Sequence, residues 1–394
     1  MTTDASRPQA GPRRTARDGE PARTRPVRSV GLEEEFLLVD AETFLPAALS
    51  DAIVGPEGVH LASGTILEHE VKQEQIEVVS PPLFTFDQLL AAIVSGRRAA
   101  DRAARAVGAR VAALATSPVK CDTHAVATSR YAHMTERFGL TMSEQLTCGL
   151  HVHVRVHSAD EGVAVLDRIR PWLPVILALS ANSPFWRGDD SEFASYRYQA
   201  WGRWPGSGAY DRFGSSEAYF EAVERMLRTE VSLDTGMVYF DARLSAHVPT
   251  VEVRIADVCL AAEDSVTVAL IVRALVETAV AEWRAGLAAD DVPTSLLRLA
   301  SWRASRSGLD GDLLDPRTGT PRPAGEVVDA LLRHVEGGFT DRSEATRIAA
   351  HVYEIVRRGS GAAHQRVSFA RHGDGASVIR DAVAATLARP HGRR

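Results

Sequence analysis

The sequence predicts an α+β fold built on an antiparallel sheet, and three observations predict it. Several short segments alternate apolar and polar residues with the period of two that a half-buried strand requires. Strands and helices do not alternate as regular βαβ units. Neither a GxGxxG nor a Walker A sequence occurs, which argues against dinucleotide-binding and P-loop enzymes.

The elements follow in order. Residues 29–40 read as a strand, and 75–80 as a second one stopped by Pro81-Pro82. Residues 87–114 read as one long amphipathic helix with Leu89, Ile93, Ala100, Ala104 and Val107 on its apolar stripe. Arg98, Arg102 and Arg105 fall on its wet side. Residues 150–156 are a strand. Ser158-Ala159-Asp160-Glu161 matches a capping box and opens a helix running toward Ser180, bent at Pro171 and Pro174. Residues 182–208 form an aromatic loop, 239–244 and 251–255 are strands, and the chain is largely helical from Glu263 onward.

Length and composition bound the rest. A chain of 394 residues with 45% apolar and 24% charged residues can bury a substantial core. The net charge of −6 gives no nucleic-acid signature. The most apolar run, 172–181, is too short to span a membrane and contains Pro174. Three widely spaced cysteines, Cys121, Cys148 and Cys259, fit a reducing cytoplasm better than a disulfide framework. Residues 1–28, rich in Arg, Pro, Ala and Thr, read as a disordered tail. Arg13-Arg14 lacks the apolar segment an export signal needs. One catalytic domain is expected over 29–370, with a C-terminal helix and basic tail over 371–394.

The chemistry lies on the polar faces of four strands. Glu33 and Glu35 share one face of the first strand. His151, His153 and Arg155 share a face opposite Leu150, Val152, Val154 and Val156. Glu252 and Arg254 oppose three β-branched residues, and Gln75 and Glu77 oppose Ile76 and Val78. A solvated sheet face explains any one of these strands. Four faces carrying Glu, His, Gln and Arg without lysine suggest a shared cavity. Converging carboxylates there would repel one another unless cations intervened. Such a set suits Mg²⁺ or Mn²⁺, although the His-x-His pair also admits zinc. Glu70, seven residues before Glu77, joins the same face only if a turn or bulge intervenes.

These motifs, with Gly31-Leu32-Glu33-Glu34-Glu35-Phe36, Gly149-Leu150-His151-Val152-His153-Val154 and Asn182-Ser183-Pro184-Phe185-Trp186, resemble in order those of the carboxylate–amine ligase family, or glutamate–cysteine ligase type 2. The resemblance covers roughly residues 29–370. It implies a glutamine-synthetase-like catalytic fold: a curved antiparallel sheet flanked by helices, with ATP and Mg²⁺ on its concave face. It also implies phosphorylation of a carboxylate, typically that of glutamate, and attack by an amine, typically that of cysteine. By resemblance, Glu33, Glu35, Glu70, Glu77, His151 and Glu252 are metal ligands, and Arg254 contacts the transferred phosphoryl group. A guanidinium suits that group better than an ammonium.

The resemblance extends to Ser195-Tyr196-Arg197 and Arg203-Trp204-Pro205, so Arg197 or Arg203 is expected on a substrate carboxylate or phosphate. The sequence departs from the family where Ser191-Glu192-Phe193 replaces the usual Thr-Gly-Tyr. The expected partners are amino acids and ATP, with no nucleic acid or membrane, and a homo-oligomer is a family-level expectation. The competing readings are a ligase for another acid–amine pair, a metal-dependent hydrolase using His151 and His153, and a non-catalytic relative.

Overall fold

The structure is a computed structural model that describes residues 26–55 and 57–389. The expected tail at 1–25 and the basic end at 390–394 lie outside the described residues. Arg28, assigned from sequence to the tail, is buried. Its guanidinium meets Glu161 at 2.7 Å and Glu277 at 3.2 Å and donates to the Arg155 carbonyl.

The strands among the described residues are β1 (Val30–Asp40), β2 (Val59–His60), β3 (Ile66–His69), β4 (Gln75–Val79), β5 (Ala109–Ala112), β6 (Gly149–Arg155), β7 (Phe185–Trp186), β8 (Asp189–Asp190), β9 (Ala242–Leu244), β10 (Thr250–Asp257), β11 (Asp312–Leu314) and β12 (Pro321–Pro323). Eight of them form one antiparallel sheet in the order β2-β3-β4-β1-β6-β10-β9, with β5 paired to the far half of β1. β7 and β8 make a separate two-stranded ribbon. The expected α+β class with an antiparallel sheet flanked by helices is therefore present.

The helices, in chain order, are α1 (Ser50–Ile53), α2 (Phe86–Arg105), α3 (Ser129–Phe138), α4 (Leu140–Ser143), α5 (Ala159–Ile169), α6 (Leu173–Ser180), α7 (Tyr196–Trp201), α8 (Ser216–Arg228), α9 (Ala262–Arg284), α10 (Thr294–Ser307), α11 (Ala324–Val335), α12 (Arg342–Arg358), α13 (Gly361–His372) and α14 (Gly375–Thr386). The apolar face of the sheet, with Leu32, Leu150, Val152, Val154, Val251 and Val253, packs in one core with α5, α6 and α9. A second core joins Phe36, Ile76, Val78 and Val111 to Ile379, Ala382 and Val383 of α14.

Local signals explain the boundaries. Thr85 and Gln88 cap α2 reciprocally: Thr85 Oγ accepts from the Gln88 amide and Gln88 Oε1 from the Thr85 amide. The helix expected over 87–114 ends at Arg105. Gly108, at φ 77°, takes a left-handed conformation that a β-carbon disfavours, and the chain turns into β5. The Ala-rich run conceals this break, because alanine favours helix yet fits the tight contact of β5 with α14. Ser158 caps α5 by accepting the Glu161 amide. The bend before Ser180 is a three-residue 3₁₀ turn, Arg170–Trp172, between α5 and α6.

Arg97 is a buried charge on the helical side. It is 1% exposed, donates Nε and Nη2 to Glu34 at 3.0 and 2.6 Å, and reaches the carbonyls of Cys259 and Leu260. Glu34 therefore faces the helices while Glu33 and Glu35 face the other way, as strand alternation requires.

Candidate active site

Strand registers bring the polar faces together. Glu35 lies opposite Glu77, and Glu77 opposite Glu68. One row along, Glu33 lies opposite His151, and in the next His153 opposes Glu252 and Glu252 opposes Arg243. Same-face residues directly across an antiparallel pair are close neighbours. Residues of six strands thus converge on one patch, with Glu33 at its centre.

The contacts are direct. His151 Nδ1 is 2.9 Å from Glu33 Oε2, and its Nε2 is 3.6 Å from Glu35. His153 Nε2 lies 3.0 Å from the other Glu33 oxygen, and His153 Nδ1 is held by the Thr250 hydroxyl at 3.0 Å. Arg243 grips Glu252 with two donors at 2.8 and 3.2 Å, and Arg254 donates to the same carboxylate. Glu35 accepts the Gly149 amide at 2.6 Å.

Two groups of side chains present donor atoms within 4.8 Å of one another: Glu33, His153 and Glu252, and Glu33, Glu77 and His151. Glu33 belongs to both. Carboxylates with imidazole are a donor set for a divalent ion such as Mg²⁺ or Mn²⁺. Beside them, Arg254 Nε is buried with no hydrogen-bond partner among the described residues, a donor that suits the phosphate such an ion would accompany.

Electrostatics divide the acids. Burial pushes Glu252 up, but Arg254 and Arg243 outweigh it and hold the carboxyl at about 2. Glu33 also sits well below the usual range, because the two histidines overcome burial. Glu77 goes the other way: burial and then the neighbouring Glu33, Glu70 and Glu35 push it well up. Glu70 is raised to about 8 by burial and then by Glu35. The Glu70–Glu77–Glu35 end therefore carries uncompensated repulsion, which a cation would relieve.

Glu70 reaches this patch because β3 ends at His69 and the chain turns at Gln73-Glu74, between Glu70 and β4. Arg197 is 3% exposed and donates to the carbonyls of Arg254 and Ile255, both at 3.3 Å. Arg203 lies farther out, where Glu144 bridges it and Arg187. Glu144 and Arg187 border a cavity of about 300 Å³ whose lining includes Asp122, Leu146 and Trp186. Arg243, Glu68 and Thr250 were not singled out from sequence. Of the strand expected over 239–244 only Ala242–Leu244 forms β9, too short a stretch for alternation to single out Arg243. Its position opposite Glu252 emerges only from strand pairing.

Comparison with known proteins decides the family. Residues 29–383 match the model of glutamate–cysteine ligase family 2. The chain belongs to this family. Membership makes it an ATP-dependent carboxylate–amine ligase. A relative from Paenarthrobacter aurescens (strain TC1), named "Putative glutamate--cysteine ligase 2-1", is 50% identical over 91% of this chain and 95% of its own length. A Streptomyces coelicolor relative named "Putative glutamate--cysteine ligase 2" is 47% identical over 92% and 99%.

Among solved structures, the fold resembles a glutamate–cysteine ligase from Francisella tularensis in complex with AMP. The TM-score is 0.60 at 14% identity, over 93% of this chain and 90% of that one. It also resembles a bifunctional glutathione synthetase from Pasteurella multocida, with TM-score 0.65 and 13% identity over 91% of this chain. The chain spans about half that synthetase's length. At such identities these two likenesses concern the fold alone. Among the described residues no helix is long and apolar enough to cross a membrane.

Proposed function

We propose that this ligase joins glutamate to cysteine, using Mg-ATP held on the acidic face of the sheet. The observation that carries the reading is the pair of donor groups sharing Glu33, beside the arginine whose buried Nε has no hydrogen-bond partner among the described residues. The residues that would hold divalent ions are Glu33, Glu77, His151, His153 and Glu252, with Glu35 and Glu70 completing the acidic end. Bound there, Mg²⁺ or Mn²⁺ would neutralise phosphate charge.

In this reading, one substrate carboxylate oxygen attacks the γ-phosphorus of ATP, and the bond from that phosphorus to the β-phosphate bridging oxygen breaks, leaving ADP. The amine then attacks the acyl carbon. Phosphate leaves with the bond electrons, the amine loses a proton, and an amide remains. Negative charge gathers between two anions in the first step, so positioning and cationic contacts are the main task of the protein. Arg254 is the cation placed for it. Glu252 holds its Nη1, while its Nε has no hydrogen-bond partner among the described residues.

The nucleotide has an oriented place. A cavity of about 270 Å³ lined by Tyr219, Phe220, Val223, Leu244 and Val248 also includes Arg243 and Thr250, which hold Glu252 and His153. A flat aromatic base suits such an apolar wall, with the phosphates directed toward Glu33. The cavity at Arg187, Glu144 and Asp122 offers both charge signs and suits amino-acid substrates.

The test is ADP release with Mg²⁺ and amino acids. ADP and phosphate should appear at a rate that requires glutamate and cysteine together. Nucleotide-independent hydrolysis of a peptide would support the hydrolase instead. Turnover with a different pair would retain the ligase and replace its substrates.

A further inference from the structure

We infer that Arg197 is a positioning residue that fixes Arg254, Glu35 and His151 by clamping the bulge of β10, and does not itself bind substrate. The inference rests on the proposed role of Arg254 and goes beyond it.

Strand β10 loses register between Val253, which opposes Val152, and Ala256, which opposes Leu150. Two residues, Arg254 and Ile255, therefore face one, His151. A bulge of this kind leaves ladder groups unpaired and re-aims a side chain. Buried carbonyls at such a break need other donors. Arg197 supplies them: Nη1 donates to the Ile255 carbonyl and Nη2 to the Arg254 carbonyl, each at 3.3 Å. The Arg254 amide donates to the Asp241 carbonyl at 2.9 Å. Both peptide groups flanking the Arg254 α-carbon are thereby fixed.

The clamp is anchored from behind. Asp257 ends β10 and accepts from the Asn182 amide at 2.8 Å and from the hydroxyls of Ser183 and Ser195 at 2.7 and 2.9 Å. The Ser183 hydroxyl in turn accepts the Arg197 amide at 3.0 Å. Arg197 Nη1 also lies 3.8 Å from Asp257. The serine–aspartate anchor thus sets where the guanidinium falls.

The other side of the clamp is Gly149, which opposes Asp257 across β6. A β-carbon there would stand 2.3 Å from Arg197 Nη2. Glycine is required for this close approach and not for an unusual dihedral. The Gly149 amide donates to Glu35, and His151 follows two residues on. One buried guanidinium therefore braces the backbone beside three side chains of the site. A substrate ligand would turn its Nη fork toward the site, whereas both Arg197 Nη groups are committed to backbone at 3% exposure, and its Nε is buried without a hydrogen-bond partner among the described residues.

The test compares Arg197→Ala, Arg197→Lys and Gly149→Ala with the wild type, whose glutamate- and cysteine-dependent ADP release is the control. In Arg197→Ala the expected result is a fall of about 100-fold in kcat, with KM values for ATP and both amino acids within about twofold. Added guanidinium ion should restore part of kcat. Lysine should not, because one ammonium lacks the fork that spans two adjacent carbonyls. Gly149→Ala keeps the guanidinium but displaces it, and should show the same kcat-selective loss if Arg197→Ala fails to fold.

Hydrogen exchange of the 252–257 peptide reads the clamp without any activity. It should accelerate about tenfold or more in Arg197→Ala and in Gly149→Ala, while exchange in α9 stays unchanged. A raised KM for an amino acid at constant kcat would overturn the inference and make Arg197 a substrate ligand. Unchanged exchange and kcat would overturn it as well. A wild type without ligase activity but with the exchange response would sink the proposed function and leave the clamp standing.

Discussion

Glu33 is shared by both donor groups, so its loss should cost more than that of either neighbour. Glu33→Gln should reduce Mg-dependent ATP turnover by about 100-fold or more, measured as ADP release, with the thermal melt little changed. Unaltered turnover would remove Glu33 from the site. The raised acids give a pH prediction for the metal-free chain. Glu70, pushed to about 8, and Glu77, also pushed up, bind protons more tightly folded than unfolded. Stability should therefore fall as pH rises from the unfolded carboxylate value, about 4.3, toward 8. Glu252, held at about 2, is ionised in both the folded and the unfolded chain above about pH 6 and contributes no slope from there to about pH 8. Mg²⁺ should raise the Tm more at pH 8 than at pH 6, and Glu77→Gln should shrink the difference. A metal effect independent of pH would contradict this.

At the scale of elements, alternation within strands was legible from the sequence because it depends on neighbours in the chain. It placed Glu33 with Glu35, and His151 with His153, on common faces, which the registers then join. What it could not show was which strands pair. Arg243 and Glu68 remained hidden for that reason, as did the ion pair of Glu34 with Arg97, separated by 63 residues. The long helix expected over 87–114 failed at Gly108 because an alanine-rich stretch satisfies helix propensity and a tightly packed strand alike. The buried pair is testable: Arg97→Ala should cost about 3–5 kcal/mol by leaving Glu34 uncompensated. Arg98→Ala, on the wet face, should stay within about 0.5 kcal/mol. Equal melting temperatures would contradict the packing of α2.

Across the whole molecule, the sheet divides the labour. Helices α5, α6 and α9 bury its apolar face, leaving the opposite face to carry charge. The apolar cavity at the β9–β10 end and the charged cavity at Arg187 supply two places for dissimilar ligands. Val248→Asp should raise KM for ATP about tenfold by placing a charge in the apolar wall, leaving KM for glutamate unchanged. An effect confined to glutamate would reverse the assignment of the cavities. The central claim, that acids from separate strands gather divalent ions for a nucleotide, is tested most directly by Mn²⁺ titration followed by electron paramagnetic resonance, with and without a non-hydrolysable ATP analogue. The account predicts that the analogue tightens Mn²⁺ binding and that Glu33→Gln abolishes this tightening. Equal Mn²⁺ binding by wild type and Glu33→Gln, with no response to nucleotide, would contradict it.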